Sequence, residues 1–407
     1  MKPKVLYISY DGMTDQLGQS QVLPYLCGLS AMGYDFTLLS FEKKDKYKKT
    51  STLISNICND NNIKWVPEFF SSRPPVLSKI YDSWKMKRKA IKLQKEQQFD
   101  LVHCRSYVAA GAALSLYKKF KTPFLFDMRG FWADERVDFG QWNLKNPLMR
   151  FAYKTYKKKE KQFFAQSIHI ISLTEKGKQE LINNYNVAAE KVSVIPCCAD
   201  LAHFDHNKIT EADKQEARRS LGIAPGDIVV SYLGSLGGMY LTNEMLDFFK
   251  IFKQYEPKTK LLLISFSKKE DVMNAAAQRQ IDNSDIIVRG SQRKDVPLFL
   301  SLSDLSLSFI MDKYSKKASS PTKQGEIMAM GIPVVCNDIG DIGMIMNDTG
   351  AGVLLKEFTD KGYRQAIDEW NKKKPFNKKM IRDAACKYYD LADGVKKYAA
   401  VYGKIIK

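Results

Sequence analysis

Long apolar runs are missing from this sequence, because none approaches the about 20 residues that a membrane-spanning helix needs. The first ten residues combine a basic start with an apolar run of strand length, which predicts a first β-strand and argues against a signal peptide. The seven cysteines are an odd number without a Cys-x-x-Cys pair, so we expect reduced thiols. These absences favour a cytoplasmic protein, either free or peripheral at the inner face of a membrane.

Several patterns of cofactor sites are also missing. No His, Cys and Asp residues are grouped at the spacing of metal ligands, and no Asp-x-Asp pair is present to hold a divalent cation. The full Gly-x-Gly-x-x-Gly fingerprint of dinucleotide-binding folds is absent, which argues against NAD. We therefore expect chemistry that uses neither a metal nor an organic cofactor.

Positive charge, in contrast, is abundant. The formal net charge is +19, of which +13 falls in residues 1–200 and +6 in residues 201–407. The excess is concentrated in two helix-like segments that also carry aromatic residues, 85–89 and 157–161 with their neighbours. No motif for binding DNA or RNA is present, so we expect no nucleic-acid partner. A solvated basic face and an association with an anionic membrane surface remain as the two interpretations.

Aliphatic and β-branched runs alternate with helical patterns along most of the chain, which is typical of parallel sheets with crossover helices. The predicted strands are residues 5–10, 36–40, 101–104, 124–126, 168–173, 192–195, 228–233, 261–264, 286–288, 305–309 and 334–336. A polar stretch, residues 197–225, interrupts the alternation and predicts a linker. The sequence therefore predicts two doubly wound α/β domains, residues 1–196 and 226–377, followed by a helical segment, residues 378–407.

Residues 319–326, Ser-Ser-Pro-Thr-Lys-Gln-Gly-Glu, are the most informative segment. The serines and the proline predict the capped start of a short helix, and Gly331 and Pro333 predict its end before strand 334–336. The positive N-terminal end of such a helix suits an anion such as a diphosphate, and Glu326, one turn further on, can reach hydroxyl groups of the same ligand. The residues expected to contact the anion are Ser320, Pro321, Thr322 and Lys323. An ordinary capped helix with solvated side chains is the alternative interpretation.

A glycine-rich turn follows the first strand of the second predicted domain. Glycines between a strand and a helix allow backbone N–H groups to approach a phosphate closely. The residues expected to do so are Gly234, Ser235, Gly237 and Gly238. A tight turn that merely requires glycine is the alternative, but two anion-binding elements in one domain favour a clamp for a diphosphate.

The segment around Glu326 resembles the donor-site signature of the retaining GT4 glycosyltransferases, in which a Glu precedes an Ala-Met-x-Gly-x-Pro-Val-Val run. That family has the GT-B fold, with two Rossmann-like domains facing across a cleft and a C-terminal helix that crosses back to the first domain. The resemblance implies that Glu326 binds the ribose of a nucleotide-sugar. A second family Glu, which contacts the donor sugar, is replaced here by Ala318, and the usual Arg and Lys after the glycine turn are missing. Lys323 is therefore the expected cation for the diphosphate.

The resemblance extends to three further segments. A polar loop with Gly18 and Gln19 resembles the first loop of GT-B enzymes, which borders donor and acceptor. Asp127 ends a strand where many relatives have a His, and Arg129 and Trp132 follow it, so we expect these three residues to contact the sugar substrates. The loop with Arg293 lies where the nucleobase binds in this fold. Each segment has an alternative interpretation. The first loop can be a plain helix cap, and the second segment can form an internal salt-bridge network. Arg293 can be plain surface charge.

The resemblance implies a metal-independent glycosyltransferase that moves a sugar from a nucleotide diphosphate-sugar, UDP favoured, to an acceptor hydroxyl with retention, in surface polysaccharide or glycolipid synthesis. The first domain would hold a glycan or lipid-linked acceptor, and the second the donor. The expected catalytic residues are Asp127, Lys323 and Glu326. A sugar-nucleotide 2-epimerase of the same architecture is the alternative, although no acid/base pair for such a reaction stands out. A third interpretation, a nucleic-acid-binding protein, is supported by the positive charge alone.

Overall fold

The computed structural model describes residues 2–71 and 74–406, with the backbone alone at 75 and 76. These residues divide into two compact units. The first unit consists of the chain up to Cys197, Tyr314–Ser319 and the chain from Leu391, and the second unit consists of Cys198–Lys313 and Ser320–Asp390. Met1 and Lys407, the outer limits of the predicted domains, lie outside the described residues.

Within the described residues, the first unit has a parallel sheet of seven strands in the order β3-β2-β1-β4-β5-β6-β7. The strands are β1 (Lys4–Ser9), β2 (Asp35–Glu42), β3 (Ile63–Phe69), β4 (Leu101–Arg105), β5 (Phe124–Asp127), β6 (His169–Ser172) and β7 (Val192–Val194). Most inner strands are buried along their length, as expected for a parallel sheet that helices cover on both faces. The order of the strands reverses between β1 and β4: β2 and β3 are added on one side of β1, and β4 to β7 are added on the other side. Open α/β sheets bind ligands outside the carboxyl ends of the strands at such a point.

Helices connect these strands and cover the sheet. They are α1 (Gln16–Gln21), α2 (Leu23–Ala31), α3 (Lys44–Asp60), α4 (Pro75–Gln97), α5 (Ser106–Phe120), α6 (Trp132–Asp138), α7 (Pro147–Gln166) and α8 (Glu175–Tyr185). Tyr107, Phe126 and Phe163 belong to the core between α5, α7 and the sheet.

The second unit is built on the same plan, with six parallel strands in the order β10-β9-β8-β11-β12-β13 among its described residues. The strands are β8 (Ile228–Leu233), β9 (Thr259–Ile264), β10 (Ile286–Arg289), β11 (Leu305–Ser308), β12 (Val334–Cys336) and β13 (Gly352–Leu354). Its helices are α9 (Glu211–Ser220), α10 (Thr242–Tyr255), α11 (Lys269–Ala277), α12 (Val296–Leu300), α13 (Thr322–Ala329), α14 (Ile342–Thr349), α15 (Asp360–Lys373) and α16 (Lys378–Tyr389). The reversal point lies between β8 and β11.

The end of the chain returns to the first unit, as the resemblance implied. Helix α17 (Leu391–Ile405) packs on α2, where a side chain at Gly28 would place its Cβ 2.8 Å from a methyl group of Val395. Glycine therefore permits this close approach. The helical segment expected at 378–407 is broken at Asp390, and its first half, α16, packs on α13 in the second unit.

Other boundaries also differ from the expectation. The linker expected at 197–225 contains helix α9 and belongs to the second unit from Cys198 onward. Strand β3 did not stand out in the sequence because Pro67 and charged residues interrupt it, a composition that only a strand at the edge of a sheet tolerates. Strand β13 is three residues long and carries no periodicity.

Short 3₁₀ helices complete the described secondary structure. They are Ala189–Lys191, His206–Lys208, Asn283–Asp285, Arg293–Asp295 and Tyr314–Ala318.

Candidate functional site

The glycine-rich turn lies at the reversal point of the second unit, directly after β8. Gly234, Gly237 and Gly238 have φ angles of +121°, +75° and +63°, a backbone conformation that favours glycine. The Gly237 N–H donates to Thr242 Oγ1 over 2.9 Å. This N–H group is therefore used within the turn, whereas it was expected to bind a phosphate. The Leu236 N–H likewise donates to the hydroxyl of Ser267, and an open cavity of about 640 Å³ borders the turn.

Lys323 is held against this turn. Its Nζ donates to the hydroxyl of Tyr232 over 2.9 Å and lies 3.4 Å from the ring centroid of Tyr240. A Cβ at Gly234 would lie 3.1 Å from the same nitrogen, so glycine leaves room for the ammonium group. Tyr232 in turn donates to the Ser235 carbonyl, which joins the lysine to the backbone of the turn. The two elements predicted to form a clamp therefore meet in space.

The environment of Lys323 disfavours its positive charge. The side chain is buried, and this burial lowers its pKa from 10.5 to about 7, although the nearby Glu326 opposes the shift. Cation–π contacts with Tyr232 and Tyr240 provide some compensation. A lysine in such surroundings gains its full charge when an anion binds beside it.

The start of helix α13 differs in detail from the expected capped start. The helix begins at Thr322, and Pro321 occupies the N-cap position without a side-chain cap, so the expected serine cap does not form. Ser320, Pro321 and Thr322 are partly exposed at this end of the helix. The segment immediately before them belongs to the first unit, where Ala318 is fully buried and a Cβ added to Gly177 would lie 2.9 Å from its methyl group. Helix α8 thus leaves no room for a long side chain at position 318.

Glu326 lies one turn after Lys323 and is paired with Arg293. The Arg293 Nη1 donates to Glu326 Oε1 over 3.2 Å. Burial raises the pKa of Glu326, and the attraction of Arg293 and, less strongly, of His203 works against that rise. Arg293 also lies 5.4 Å from the ring of Phe204. Arg293 is therefore ion-paired with Glu326, and its place at the nucleobase stays a prediction.

Asp127 occupies a different environment from the expected one. It is 1% exposed and accepts a hydrogen bond from Tyr398 of α17 over 3.2 Å. His103 Nε2, Arg129 Nη1 and Arg105 Nη1 lie 3.7, 3.7 and 3.9 Å from its Oδ2. Burial alone would raise its pKa, but the two arginines and His103 outweigh burial and lower the pKa to about 2. The expectation that Asp127 faces a sugar substrate is therefore corrected, because the ion network that was its alternative keeps the carboxylate inside the unit.

Arg129 belongs to the same buried network. Its Nη2 donates to Cys197 Sγ over 2.9 Å and to Gln21 Oε1 over 3.4 Å. Its backbone φ of +61° is uncommon for a residue with a side chain, so the network holds it in place. A contact between Arg129 and a substrate finds no support in this arrangement.

The first loop of the first unit is shorter than expected. Gly18 and Gln19 lie in helix α1, not in a loop. Gly18 is buried, and a Cβ there would lie 2.3 Å from the Gly12 carbonyl oxygen, which explains the glycine by packing alone. Gln19 donates from its side chain to the Thr14 carbonyl.

Trp132 lines a cavity of about 430 Å³ in the first unit that sequence patterns did not reveal. The cavity lies at the reversal point of the sheet, because Tyr10 and Asp11 follow β1 and Arg105 ends β4. Helices α4, α5, α6 and α7 form its other walls. The two basic segments of the sequence gave the only signal, and they could not show that α4 and α7 line one cavity.

The described residues include no group of three or more His, Cys, Asp or Glu side chains that could hold a metal ion. Metal-independent chemistry stays a prediction. No helix in the described part of the chain combines the length and apolar character needed to cross a bilayer.

Two family models match this chain. The model described as Glycosyltransferase Family 4 matches residues 20–203, and the model described as Glycosyl transferases group 1 matches residues 213–386. Together they span most of both units.

Curated relatives share low identity with the chain. A D-inositol 3-phosphate glycosyltransferase of Nocardia farcinica is 19% identical over 277 residues, which are 66% of this chain and 58% of the relative. An alpha-monoglucosyldiacylglycerol synthase of Streptococcus pneumoniae is 22% identical over 272 residues, 65% of this chain and 58% of the relative. The chain thus spans less than two thirds of the length of these relatives.

Solved structures show the same fold along the entire chain. A glycosyltransferase from Rickettsia africae superposes with a TM-score of 0.74 at 15% identity, covering 100% of this chain and 99% of the other. Anabaena HepE in complex with UDP and glucose superposes with a TM-score of 0.70 at 13% identity, covering 99% and 100%. At such identities the likeness establishes the fold, and it confirms the predicted pair of doubly wound α/β domains.

Proposed function

The chain belongs to the GT4-like glycosyltransferases of the GT-B fold, and we propose that it transfers a sugar from a nucleotide diphosphate-sugar to an acceptor hydroxyl. The observation that carries this proposal is the position of Lys323 against the glycine turn, at the reversal point of the second sheet. A buried ammonium group beside a glycine turn suits a diphosphate, and Glu326 lies one helical turn away for the ribose hydroxyls. UDP is the favoured nucleotide, since the structural neighbour HepE was solved with UDP.

In the proposed reaction, the bond between the anomeric carbon and the diphosphate oxygen breaks, and a bond from the acceptor oxygen to that carbon forms. The proton of the acceptor hydroxyl passes to an oxygen of the departing diphosphate, so no carboxylate base is needed. This is consistent with the burial of Asp127. Protonated Lys323 stabilises the negative charge that develops on the leaving group. Attack on the face that the diphosphate leaves retains the anomeric configuration.

Changing Glu326 to Gln should weaken UDP binding about ten- to a hundredfold, because a charge-assisted hydrogen bond to the ribose is worth about 1.5–3 kcal/mol. The fold should persist, since Arg293 is partly exposed and water can solvate it. Titration calorimetry with UDP and with uridine measures the loss, which should be similar for both ligands. Glu369→Gln is the matched control, because Glu369 pairs only with Lys373 of the same helix among the described residues. Unchanged affinity in Glu326→Gln would remove the ribose assignment.

The acceptor side of the proposal includes a membrane surface and synthesis of a surface polysaccharide or glycolipid. Helix α4 exposes Leu77, Ile80, Tyr81 and Trp84, and the same helix carries the basic segment 85–89. A relative named for a glucosylated diacylglycerol supports a lipid acceptor. Each basic residue near an anionic surface contributes about 1 kcal/mol, so several together bind reversibly.

The protein should sediment with vesicles of phosphatidylglycerol at low salt, and binding should weaken as salt screens the exposed charges. Vesicles of phosphatidylcholine alone are the control and should bind little. Co-sedimentation over a series of salt concentrations measures the effect. Absence of binding at low salt, or binding that salt does not change, would contradict the membrane part of the proposal.

A further inference from the structure

The cavity of the first unit carries positive charge that the donor chemistry does not use. We propose that it binds the phosphate group of a lipid-borne acceptor, an inference that rests on the transfer reaction proposed above. Its volume of about 430 Å³ is within the range of small-molecule sites, and it opens at the reversal point of the sheet, where α/β folds place their ligands.

The lining of the cavity is unbalanced in charge. Among its described residues are six basic side chains and one carboxylate, which is that of Asp11. The basic residues are Lys79, Lys87, Arg105, Lys118, Arg136 and Lys159. Arg105 lies 3.2 Å from Asp11 and neutralises it. The lysines have no ion pair with any described carboxylate, so their charge is available to a ligand.

Three of these lysines converge from three helices. Lys87 of α4 has its pKa lowered by burial and, in addition, by the positive charges of Lys159 on α7 and Lys118 on α5. These positive charges repel one another, and no carboxylate of the lining pairs with them. A ligand of high negative charge density, such as a phosphate monoester or diphosphate, stabilises such a group of charges. Hydroxyl groups of Ser83 and Ser106 in the same lining can donate hydrogen bonds to phosphate oxygens.

Aromatic rings form the other wall of the cavity. Trp132 and Tyr156 pack with ring centroids 4.8 Å apart, and Arg136 lies 4.8 Å from the Trp132 ring. Aromatic faces of this kind contact the apolar faces of sugars and the first carbons of a lipid. The cavity thus offers cations and aromatic surface to one amphipathic ligand.

Exposed apolar residues on helix α4 favour a lipid as the source of the phosphate. Leu77, Ile80, Tyr81 and Trp84 follow the three- and four-residue spacing of one helix face, and they are 62%, 62%, 53% and 48% exposed. On the same helix Lys79, Ser83 and Lys87 line the cavity, so the exposed apolar face is next to the lysine face. Helix α7 also exposes Leu148 and Phe151. Acyl chains can therefore cover apolar side chains while the phosphate occupies the cavity.

The test uses dioctanoyl phosphatidic acid, a short-chain lipid with a phosphate monoester, titrated calorimetrically below its micelle concentration. The triple variant Lys87→Gln, Lys118→Gln, Lys159→Gln should bind this lipid about a hundredfold more weakly, at about fivefold per lysine. The matched control is Lys95→Gln, Lys154→Gln, Lys161→Gln, which removes the same charge from exposed positions outside the cavity lining. It should change affinity by less than about threefold. An equal loss in both triple variants would show a general charge effect and overturn the cavity site.

A second arm separates a lipid phosphate from a free one. Glycerol 3-phosphate carries the same phosphate without acyl chains and should bind at least about tenfold more weakly than the lipid, because burial of acyl chains on α4 is lost. The double variant Ile80→Ser, Trp84→Ser should reduce the difference in affinity between the lipid and glycerol 3-phosphate. Glycerol 3-phosphate binding as tightly as the lipid would overturn a lipid source, and no binding of either probe would overturn the site.

Binding of UDP to the same variants distinguishes this inference from the proposed function. The cavity belongs to the first unit, and the predicted UDP site to the second, so all cavity variants should bind UDP as the unaltered protein does. Failure of the unaltered protein to bind UDP would refute the donor assignment whatever the lipid titration gives.

Discussion

Lys323→Ala should lower kcat about a hundred- to a thousandfold, the size of loss expected when one preorganised charge at a leaving group is removed. The physical reason is position, since Lys323 Nζ lies beside the glycine turn and is already desolvated before the donor binds. Binding of uridine should change little, because the lysine is expected to act on the diphosphate and not on the nucleoside. UDP release measures the turnover, with the donor selected by a thermal-shift screen of UDP-, GDP- and ADP-sugars.

Lys253→Ala is the control for loss of a partly buried lysine in the same unit. Lys253 forms an ion pair with Asp285, and it is not among the residues around the turn. Its loss should leave kcat within about threefold of the original, because Lys253 lies outside the proposed donor site. A comparable loss in both variants, or an equal loss of uridine and UDP binding in Lys323→Ala, would contradict a role at the diphosphate.

The same lysine predicts a pH dependence with a definite sign. Its pKa in the free protein is about 7, and a bound diphosphate must raise that pKa because opposite charge favours the protonated form. Above pH about 7, Lys323 is neutral in the free protein, so UDP binding is accompanied by the uptake of a proton. The affinity for UDP therefore falls by up to about tenfold for each unit by which the pH rises. Calorimetry in buffers of different ionisation enthalpy measures the proton uptake. Lys323→Ala should lose this uptake.

Asp127→Ala should destabilise the protein by about 3–5 kcal/mol, the range for removing one partner of a buried ion network. The variant leaves Arg105 and Arg129 without their shared carboxylate and removes the acceptor of the Tyr398 hydroxyl, which belongs to α17. This differs from the expectation for a substrate-binding carboxylate, whose loss would leave stability intact. Urea unfolding followed by circular dichroism measures the change.

The control for this variant is Asp393→Ala, because Asp393 forms only an exposed pair with Lys397 among the described residues. Its cost should be below about 1 kcal/mol. The network also has a pH signature: the folded pKa of Asp127 is about 2, below its ordinary 3.8, so its contribution is complete above pH 3.8 and is lost as pH falls toward 2. Normal stability of Asp127→Ala together with lost transfer would restore the catalytic interpretation.

The elements that carry the proposed donor site could be predicted from the sequence. The glycine turn and the Ser-Pro-Thr-Lys helix have short-range signatures, because a positive φ, a proline and a helix start depend on a few consecutive residues. The alternation of strands and helices likewise depends on local periodicity, and eleven of the strands were anticipated within a few residues. Where local signals were weak, as in β3 with its internal proline, the prediction failed.

The sequence by itself determined that this is a two-part α/β chain with a glycine-rich turn after β8, since hydrophobic periodicity and turn chemistry are local properties. The tertiary structure decided which charged residues are available to ligands, since burial depends on contacts between distant segments. Asp127 is buried within the first unit, where α17, more than 250 residues away in sequence, supplies Tyr398 as a hydrogen-bond partner. Lysines of α4, α5 and α7 line one cavity because those helices cover the same sheet. No local pattern encodes either fact, because each is a consequence of how the chain packs.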